Sequence, residues 1–393
     1  MKQVIEEAER DLLHTYNRFP IVFDRGEGLS LFDIDGKRYL DFFSGIGVFA
    51  LGHGNRELND ALKRQVDKLV HTSNYFYNEP AIDAARRLKA ASGMDRVFFT
   101  NSGAEAVEGA LKAARKYAYL RDGVADHEII ALENSFHGRT MGALAVTGKK
   151  AYRDPFEPLI GNIRFGKMND IASVKDVLSD KTCAIIMETV QGEGGIHPAT
   201  ADFLTEIRRI CDERDILLIL DEIQCGMGRT GSMFAYQQYG ILPDIVTTAK
   251  ALGCGVPIGA FLLRGKAAEK SLAAGDHGTT YGGNPLACTA AATVLSLYES
   301  MHLVEHVGEV APYLAEKLDG IKSRRSDVID HRGLGLMRGL EFDHPVGDIL
   351  NRALENGLVL INAGANILRF LPPLVIEKAD VDEMIDLLER SLG

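Results

Sequence analysis

Short apolar runs alternate along the chain with longer stretches of helical periodicity. The apolar runs have the length and composition of buried strands, and they occur at 96–100, 128–132, 183–189, 217–222, 244–248 and 258–263. Between several of them lie amphipathic segments such as "ADFLTEIRRICDERD". Strands that alternate with helices in this way predict an α/β domain with a mostly parallel, doubly wound sheet.

The pattern changes near residue 286. A long helical region beginning "PLACTAAATVLSLYESM" leads to "GLMRGLEF" and "ILRFLPPL", which are typical of strands in a smaller α+β domain. Near the start, "GLSLFDIDGKRYLDFF" predicts a hairpin with Asp35 and Gly36 at the turn. We therefore expect an N-terminal segment, 1–45, that joins the small domain, a large domain, 46–285, and a small domain, 286–393.

Composition excludes several classes of protein. The chain has 393 residues, 46% of them apolar, and a formal net charge of −11 without a long basic run, which disfavours a nucleic-acid partner. Its five cysteines are scattered and form no C-x-x-C pair, as expected for reduced thiols in the cytoplasm. The first residues lack the apolar core of a signal peptide, and no run approaches membrane-spanning length. We expect a cytoplasmic protein with no membrane partner.

A lysine follows one of the predicted strands. The β-branched run 245–248 is typical of a strand in a sheet interior, and Lys250 stands two residues beyond it. Burial disfavours the charged form of a lysine, so its pKa falls and the amine becomes a nucleophile. The alternative is that Lys250 reaches past the end of the strand to water.

Two further strands end in residues suited to binding a ligand. In open α/β sheets, ligands bind beyond the carboxyl ends of the strands. Ser102, Gly103 and Ala104 follow "RVFFT" and begin a helix, where backbone N–H groups can hold an anion, although Ser102 could simply cap the helix. Asp221 ends "LLILDE", and it could equally be a strand-end residue satisfied by backbone donors. With Lys250, these residues match the needs of pyridoxal 5′-phosphate, which are a covalent lysine, an acid for the ring nitrogen and a phosphate site.

The longest motif is "LILDEIQCGMGRTGSMFAYQQYGILPDIVTTAKALGCGVPIGA". It resembles the signature of the class III (ornithine/GABA-type) aminotransferases. The resemblance covers nearly the whole chain and extends to "HTSNYFYNEP", "NSFHGRTMGALAVTG", "ETVQGEGGIHPA", "HGTTYGGNPLAC" and "LRFLPPL". It implies a fold-type I architecture, in which a mostly parallel seven-stranded sheet in the large domain carries the cofactor. It also implies a homodimer with active sites at the subunit interface.

The resemblance assigns cofactor contacts to particular residues. Lys250 corresponds to the Schiff-base lysine, Asp221 to the partner of the pyridine nitrogen and Gln224 to the contact of the ring hydroxyl. Phe136 corresponds to the aromatic residue that stacks on the pyridine ring. The phosphate-binding turn corresponds to Ser102, Gly103 and Ala104.

Substrate contacts are implied in the same way. Arg139 and Arg369 correspond to the two carboxylate-binding arginines, and Glu193 to the carboxylate that pairs with the second of them. Thr280 would reach the phosphate of the neighbouring subunit's cofactor, with Thr279 beside it near the substrate.

The resemblance implies a ping-pong reaction that transfers an amino group to 2-oxoglutarate. The motifs are most similar to those of family members that use N2-acetylornithine as the amino donor, in a reaction of arginine biosynthesis. Ornithine, 4-aminobutyrate and N-succinyl-diaminopimelate remain alternative donors. Ornithine-specific relatives carry a tyrosine where this chain has Ile46, which argues against ornithine. A same-fold aminomutase and a cofactor-binding protein without turnover are further alternatives. The arginine pair disfavours the former, and the complete residue set disfavours the latter.

Two histidine patterns suggest further roles. "HLVEH", at 302–306, has the H-x-x-E-H spacing of one class of zinc peptidases, but no third ligand stands out, and we expect no metal. His137 stands beside Phe136. Because Lys250 already supplies a proton carrier, a positional role for His137 is favoured.

Overall fold

A computed structural model describes all 393 residues. The helices, α1 to α14 in chain order, span Lys2–Asp11, Ser44–Gly47, Arg56–Lys68, Glu79–Ser92, Gly103–Asp122, Met141–Ala145, Lys150–Arg153, Ile171–Val177, Ala201–Glu213, Gly265–Glu269, Pro285–Ser300, Leu303–Arg324, Gly347–Glu355 and Lys378–Leu392. The strands, β1 to β17, span Phe23–Glu27, Ser30–Asp33, Arg38–Asp41, Arg96–Thr100, Glu128–Leu132, Ile163–Gly166, Thr182–Glu188, Val190–Gln191, His197–Pro198, Leu217–Asp221, Ile245–Thr248, Gly259–Leu263, Val328–Leu334, Met337–Phe342, Leu358–Val359, Ile361–Asn362 and Ile367–Phe370. None of the helices has the length and apolar character needed to cross a membrane.

A seven-stranded sheet forms the centre of the molecule, with the order β4-β12-β11-β10-β7-β5-β6. All of its strands are parallel except β12, which runs antiparallel to both β11 and β4. Every residue of β5, β7, β10, β11 and β12 is buried, because the sheet is covered on both faces. The predicted mostly parallel, seven-stranded α/β fold is confirmed.

The two faces of this sheet pack into separate cores. In β10, Leu218 and Leu220 belong to the larger apolar cluster, while Leu217 and Ile219 belong to the second. The alternation follows from the period of two in a strand, which sends successive side chains to opposite faces. The apolar runs in the sequence are continuous because both faces of these strands are covered.

Three smaller sheets accompany the central one: a two-stranded sheet of β8 and β9 and two sheets of four strands each. One four-stranded sheet contains β13, β14, β17 and β16, and the other joins the N-terminal strands β1, β2 and β3 to β15. The hairpin predicted near the start is present between β2 and β3. Its turn has a φ of 86° at Gly36, a conformation that favours glycine, and Asp33 Oδ1 accepts the N–H groups of Asp35 and Lys37 at 3.0 and 2.9 Å.

The chain passes into its C-terminal part through α11. This helix begins at Pro285, after a cap in which the Asn284 side chain accepts the Ala287 N–H, and it packs against α3 and α4. A helix that contacts the earlier part of the chain takes the place of a flexible linker. The predicted domain boundaries at residues 45 and 285 stay a prediction.

Candidate active site

Side chains from several strand ends meet at one edge of the central sheet. Glu188 ends β7 and stands in register with Asp221, which ends β10. Lys250 lies two residues beyond the end of β11. A cavity of about 460 Å³ opens at this edge, which is a volume typical of small-molecule sites.

Most of the predicted site residues line this cavity, namely Ser102, Gly103, Ala104, Phe136, Arg139, Glu193, Asp221, Gln224 and Lys250. Arg369 lies behind Glu193 and contacts it directly. Thr279 and Thr280 are outside the lining, and Thr280 is exposed. The structure of one chain therefore brings together the predicted residues other than this pair of threonines.

The backbone changes from an extended to a left-handed conformation at Lys250, two residues after the end of β11. Its φ of 44° is unusual for a residue with a side chain, and it begins a short 3-10 turn. Burial lowers the pKa of Lys250, although the negative charges of Asp221 and Glu193 oppose this shift. An amine with a lowered pKa is more often neutral and can attack a carbonyl carbon.

Asp221 is buried, and three protein groups hold its carboxylate. Its Oδ1 accepts the Ile223 N–H and the Thr247 hydroxyl, both at 3.1 Å, and its Oδ2 lies 2.7 Å from Nδ1 of His137. Burial alone would lower the pKa of His137, but the hydrogen bond and charge of Asp221 outweigh burial and raise it. Nε2 of His137 is buried without a partner. Asp221 is thus held in a fixed orientation and places a carboxylate on the cavity wall.

The long helix α5 begins at the cavity. Ser102 caps it by accepting the Glu105 N–H at 3.2 Å, as the simpler reading predicted, and Ser102 also lines the cavity. The first N–H groups of a helix have no intrahelical partner, so those of Gly103 and Ala104 can bind an anion. A Cβ on Gly103 would lie 2.8 Å from Cδ1 of Ile223, so a larger residue would displace this turn. The arrangement is suited to a phosphate group.

Two arginines supply cations near the cavity. Arg369 is buried, binds Glu193 through Nη1 at 2.6 Å and leaves its Nε without a partner. Arg139 is exposed, and its guanidinium lies 3.8 Å from the ring centre of Tyr152 and 5.4 Å from that of Phe136. Guanidinium groups with free N–H donors can bind carboxylates with two parallel hydrogen bonds.

Glu188 is a cavity residue that the sequence analysis missed. It is buried, and its two oxygens accept the N–H groups of Phe136 and Gly192, each at 3.1 Å. Burial raises the pKa of Glu188 to about 7; His137 opposes the shift and Asp221 adds to it. The signal was present in the sequence, because Glu188 directly follows the apolar residues 183–187 as Asp221 directly follows the apolar residues 217–220.

The histidines of "HLVEH" have structural contacts. His302 precedes α12 with a φ of 49°, and Nε2 of His306 lies 2.8 Å from the Ile376 carbonyl oxygen. No group of three histidine, cysteine or acidic residues is arranged to hold a metal ion.

Comparison with known proteins gives a consistent result. The family model "Aminotransferase class-III" matches residues 13–392. Acetylornithine aminotransferase of Clostridium acetobutylicum is 48% identical over 382 residues, which cover 97% of this chain and 98% of that protein. The crystal structure of N-acetylornithine aminotransferase from Stenotrophomonas maltophilia K279a superimposes with a TM-score of 0.85 at 36% identity, covering 99% and 98% of the two chains. Ornithine aminotransferase from Toxoplasma gondii ME49 superimposes with a TM-score of 0.95 at 30% identity, covering 100% and 94%. The chain therefore belongs to the class-III aminotransferase family.

Proposed function

We propose that this protein transfers the δ-amino group of N2-acetyl-L-ornithine to 2-oxoglutarate with pyridoxal 5′-phosphate as cofactor. The products are N-acetyl-L-glutamate 5-semialdehyde and L-glutamate. The observation that carries the proposal is the meeting of Lys250, Asp221 and the start of α5 in one cavity. The choice of donor rests on the likeness to the Clostridium acetobutylicum and Stenotrophomonas maltophilia proteins.

The residues present fit the proposed cofactor. Lys250 offers an amine to its aldehyde, Asp221 a carboxylate to its ring nitrogen, and the N–H groups of Gly103 and Ala104 a site for its phosphate. Phe136 lines the same cavity and can cover the face of the ring. When bound, pyridoxal phosphate supplies an electron sink for the substrate carbon that loses its proton.

The chain's own side chains account for the remaining steps. Lys250 Nζ would take the proton from the amine-bearing carbon of the substrate and deliver it to the aldehyde-derived carbon of the cofactor, because a lysine of lowered pKa can act as both base and acid. Asp221 would keep a proton on the ring nitrogen of the bound cofactor by its negative charge, and Nδ1 of His137, 2.7 Å from Oδ2 of Asp221, holds this carboxylate in place. Arg139 and Arg369 orient the carboxylates of the substrates.

The donor is tested by a screen with 2-oxoglutarate as acceptor. N2-acetyl-L-ornithine, L-ornithine, 4-aminobutyrate and N-succinyl-diaminopimelate are compared by the rate of glutamate formation. We expect the highest kcat/KM with N2-acetyl-L-ornithine. Ile46 supports this order, because ornithine-specific relatives carry a tyrosine at this position. Ile46 lies in the left-handed turn α2 and packs against an apolar cluster that includes Val190 and Ile367. A higher kcat/KM with L-ornithine would make ornithine the substrate, and isomerised donor without glutamate would indicate an aminomutase.

We also propose that the protein works as a homodimer with shared active sites. Tyr75 and Tyr77 are 94% and 98% exposed, and Phe76 and Tyr281 are exposed as well. Large exposed apolar side chains in one region mark an interface with another protein. The segment is fixed in place because the Asn74 amide donates to the Gly282 carbonyl at 2.8 Å.

Thr280 lies beside this exposed surface. It is exposed, it adjoins Tyr281, and it does not line its own chain's cavity. In a symmetric dimer, a residue at the interface of one subunit contacts the other subunit. These observations support a role for Thr280 at the partner's phosphate site.

Mixing two inactive variants tests the shared site. Lys250→Ala and Thr280→Ala subunits, each with little activity alone, are expected to form mixed dimers in which one intact site recovers activity. Random exchange should place about half of the chains in mixed dimers. Transaminase activity is measured before and after exchange, which is verified by native mass spectrometry. Exchange without recovered activity would place Thr280 in its own subunit's site.

Glu193 is suited to act as a switch between the two half-reactions. 2-Oxoglutarate has a carboxylate beside its reacting carbon, which Arg369 can bind, whereas N2-acetylornithine has only a methylene there. A buried guanidinium without a partner is costly, and the 2.6 Å contact with Glu193 removes that cost. We infer that Glu193 pairs with Arg369 during the acetylornithine half-reaction and moves away during the other.

Glu193→Gln is therefore expected to slow both half-reactions unequally. The rate of the acetylornithine half-reaction should fall by about tenfold more than the rate of the glutamate half-reaction. Rapid-mixing absorbance measurements follow each half-reaction separately. Equal losses in both would show that the ion pair is static and only supports the loop.

A further inference from the structure

Glu188 connects two loops that reach the cavity from different parts of the fold. One oxygen accepts the N–H of Phe136, in the loop between β5 and α6. The other accepts the N–H of Gly192, in the loop that follows β8 and carries Glu193. Both distances are 3.1 Å, and Glu188 itself stands at the rigid end of β7. One carboxylate thus holds the backbone of a ring-contacting residue and that of the proposed switch.

The second loop has little room to move. A Cβ on Gly192 would lie 2.0 Å from Oε1 of Gln224, so the backbone at residue 192 packs directly against that side chain. Gln224 Oε1 in turn lies 3.4 Å from Nη1 of Arg369. A shift of residue 192 would therefore disturb Gln224 as well as Glu193.

The surroundings of Glu188 make its charge sensitive to pH. It faces His137 from the loop after β5, Asp221 and Cys225 from the end of β10 and the loop beyond, and Lys250 from the turn after β11. Burial raises the pKa of Glu188 to about 7, so its neutral and ionised forms coexist near neutral pH. The folded protein holds the Glu188 proton more tightly than the unfolded chain does, because the pKa of Glu188 is higher in the folded state. This difference stabilises the folded state fully at pH values below the ordinary pKa of a glutamate, and the stabilisation is lost as pH rises through 7.

We propose that Glu188 is a positioning residue whose carboxylate must be ionised to hold the Phe136 and Gly192 loops in the arrangement that transaminates. The proposal rests on the function proposed above. Protonation turns one carboxylate oxygen into a hydroxyl, which is a much weaker acceptor, and one of the two N–H groups is then released. Activity should consequently fall as pH decreases through 7, in the direction opposite to the stability of the same group.

The variant Glu188→Gln tests this directly, because its amide has one acceptor oxygen for two N–H donors. Two measurements are made. The first is the pH profile of kcat/KM with N2-acetyl-L-ornithine and 2-oxoglutarate, in which wild type is expected to show an acidic limb near pH 7 that the variant lacks. At pH 8 the variant should be about tenfold slower, as expected from losing a hydrogen bond to a charged group. The second is hydrogen exchange of the cofactor-free protein at pH 8, where the amide of residue 136 or 192 should lose protection.

Glu222→Gln is the matched control. Glu222 neighbours Asp221, is fully buried, accepts the Ala235 and Tyr236 N–H groups at 2.7 and 3.2 Å, and has a pKa raised by burial to about 7. It does not line the cavity. Its variant should keep the acidic limb and the exchange protection at residues 136 and 192.

Each outcome has a distinct meaning. An acidic limb that persists in Glu188→Gln, or unchanged protection of both amides, would overturn the role of Glu188. A wild-type protein that transfers no amine would overturn the proposed function, while the exchange measurement would still decide whether Glu188 holds the loops. If Glu188→Gln does not fold, Glu188→Asp carries the test, since its carboxylate is withdrawn by one methylene and should release one of the two amides.

Discussion

Replacement of Lys250 by alanine is expected to abolish the covalent bond to the cofactor and to reduce turnover by at least about 10³-fold. Nucleophile and proton carrier are lost together, and general acid–base catalysis alone contributes on the order of 10²- to 10⁴-fold. The wild-type protein should be yellow, with a visible absorption band that the variant lacks. The partial burial of Lys250 and its lowered pKa are the physical basis of this expectation.

Borohydride reduction followed by peptide mass spectrometry identifies the bonded lysine. Lys266→Ala is the control, because Lys266 follows the antiparallel strand β12 and therefore lies at the opposite edge of the sheet, where it pairs with Asp215. It should retain the bond, the colour and the turnover. A reducible cofactor bond that survives in Lys250→Ala would assign the role to another lysine.

Asp221→Asn is expected to lower transamination by on the order of a hundredfold or more, about 2.7 kcal/mol in barrier height. Asparagine can keep hydrogen bonds with His137 and Thr247 but carries no negative charge. Without that charge, the ring nitrogen of the cofactor loses its proton near neutral pH and its capacity to accept electrons falls.

Asp244→Asn is the matched comparison. Asp244 precedes β11 at the opposite edge of the sheet, where it accepts the Leu218 N–H and pairs with Arg208. That variant should lower thermal stability and leave kcat nearly unchanged. The measurements are kcat for each half-reaction and Tm for both proteins. Near-normal turnover in Asp221→Asn would show that Asp221 is only a strand-end cap.

The central strands could be predicted from sequence because their signal is local. The runs 183–189, 217–222 and 244–248 correspond to strands at Thr182–Glu188, Leu217–Asp221 and Ile245–Thr248. A strand buried on both faces needs apolar side chains at consecutive positions, and this requirement is visible without knowledge of its neighbours. Lys250, Asp221 and Gly103 became candidates for the same reason, since each closes or follows such a run and parallel strands end at a common edge.

Strand direction and side-chain pairing depended on the whole fold. The apolar run of β12 is like those of its neighbours, yet it lies antiparallel between β4 and β11. Periodicity carries no direction, so the sequence pattern alone could not distinguish the two arrangements. Arg369 and Glu193 are 176 residues apart and meet only because the fold brings β17 next to the loop that follows β8.

The chemistry of individual groups also came from tertiary structure. Glu188 is one acid among many in the sequence, and only burial beside Asp221 raises its pKa to about 7 and aims it at two backbone donors. The contact of His137 with Asp221 joins residues 84 apart in the chain. The sequence by itself determined which segments are buried strands and which residues close them, because those properties depend on local periodicity. Tertiary structure decided which of these residues meet and which charges they carry, because distance and desolvation depend on segments far apart in the chain.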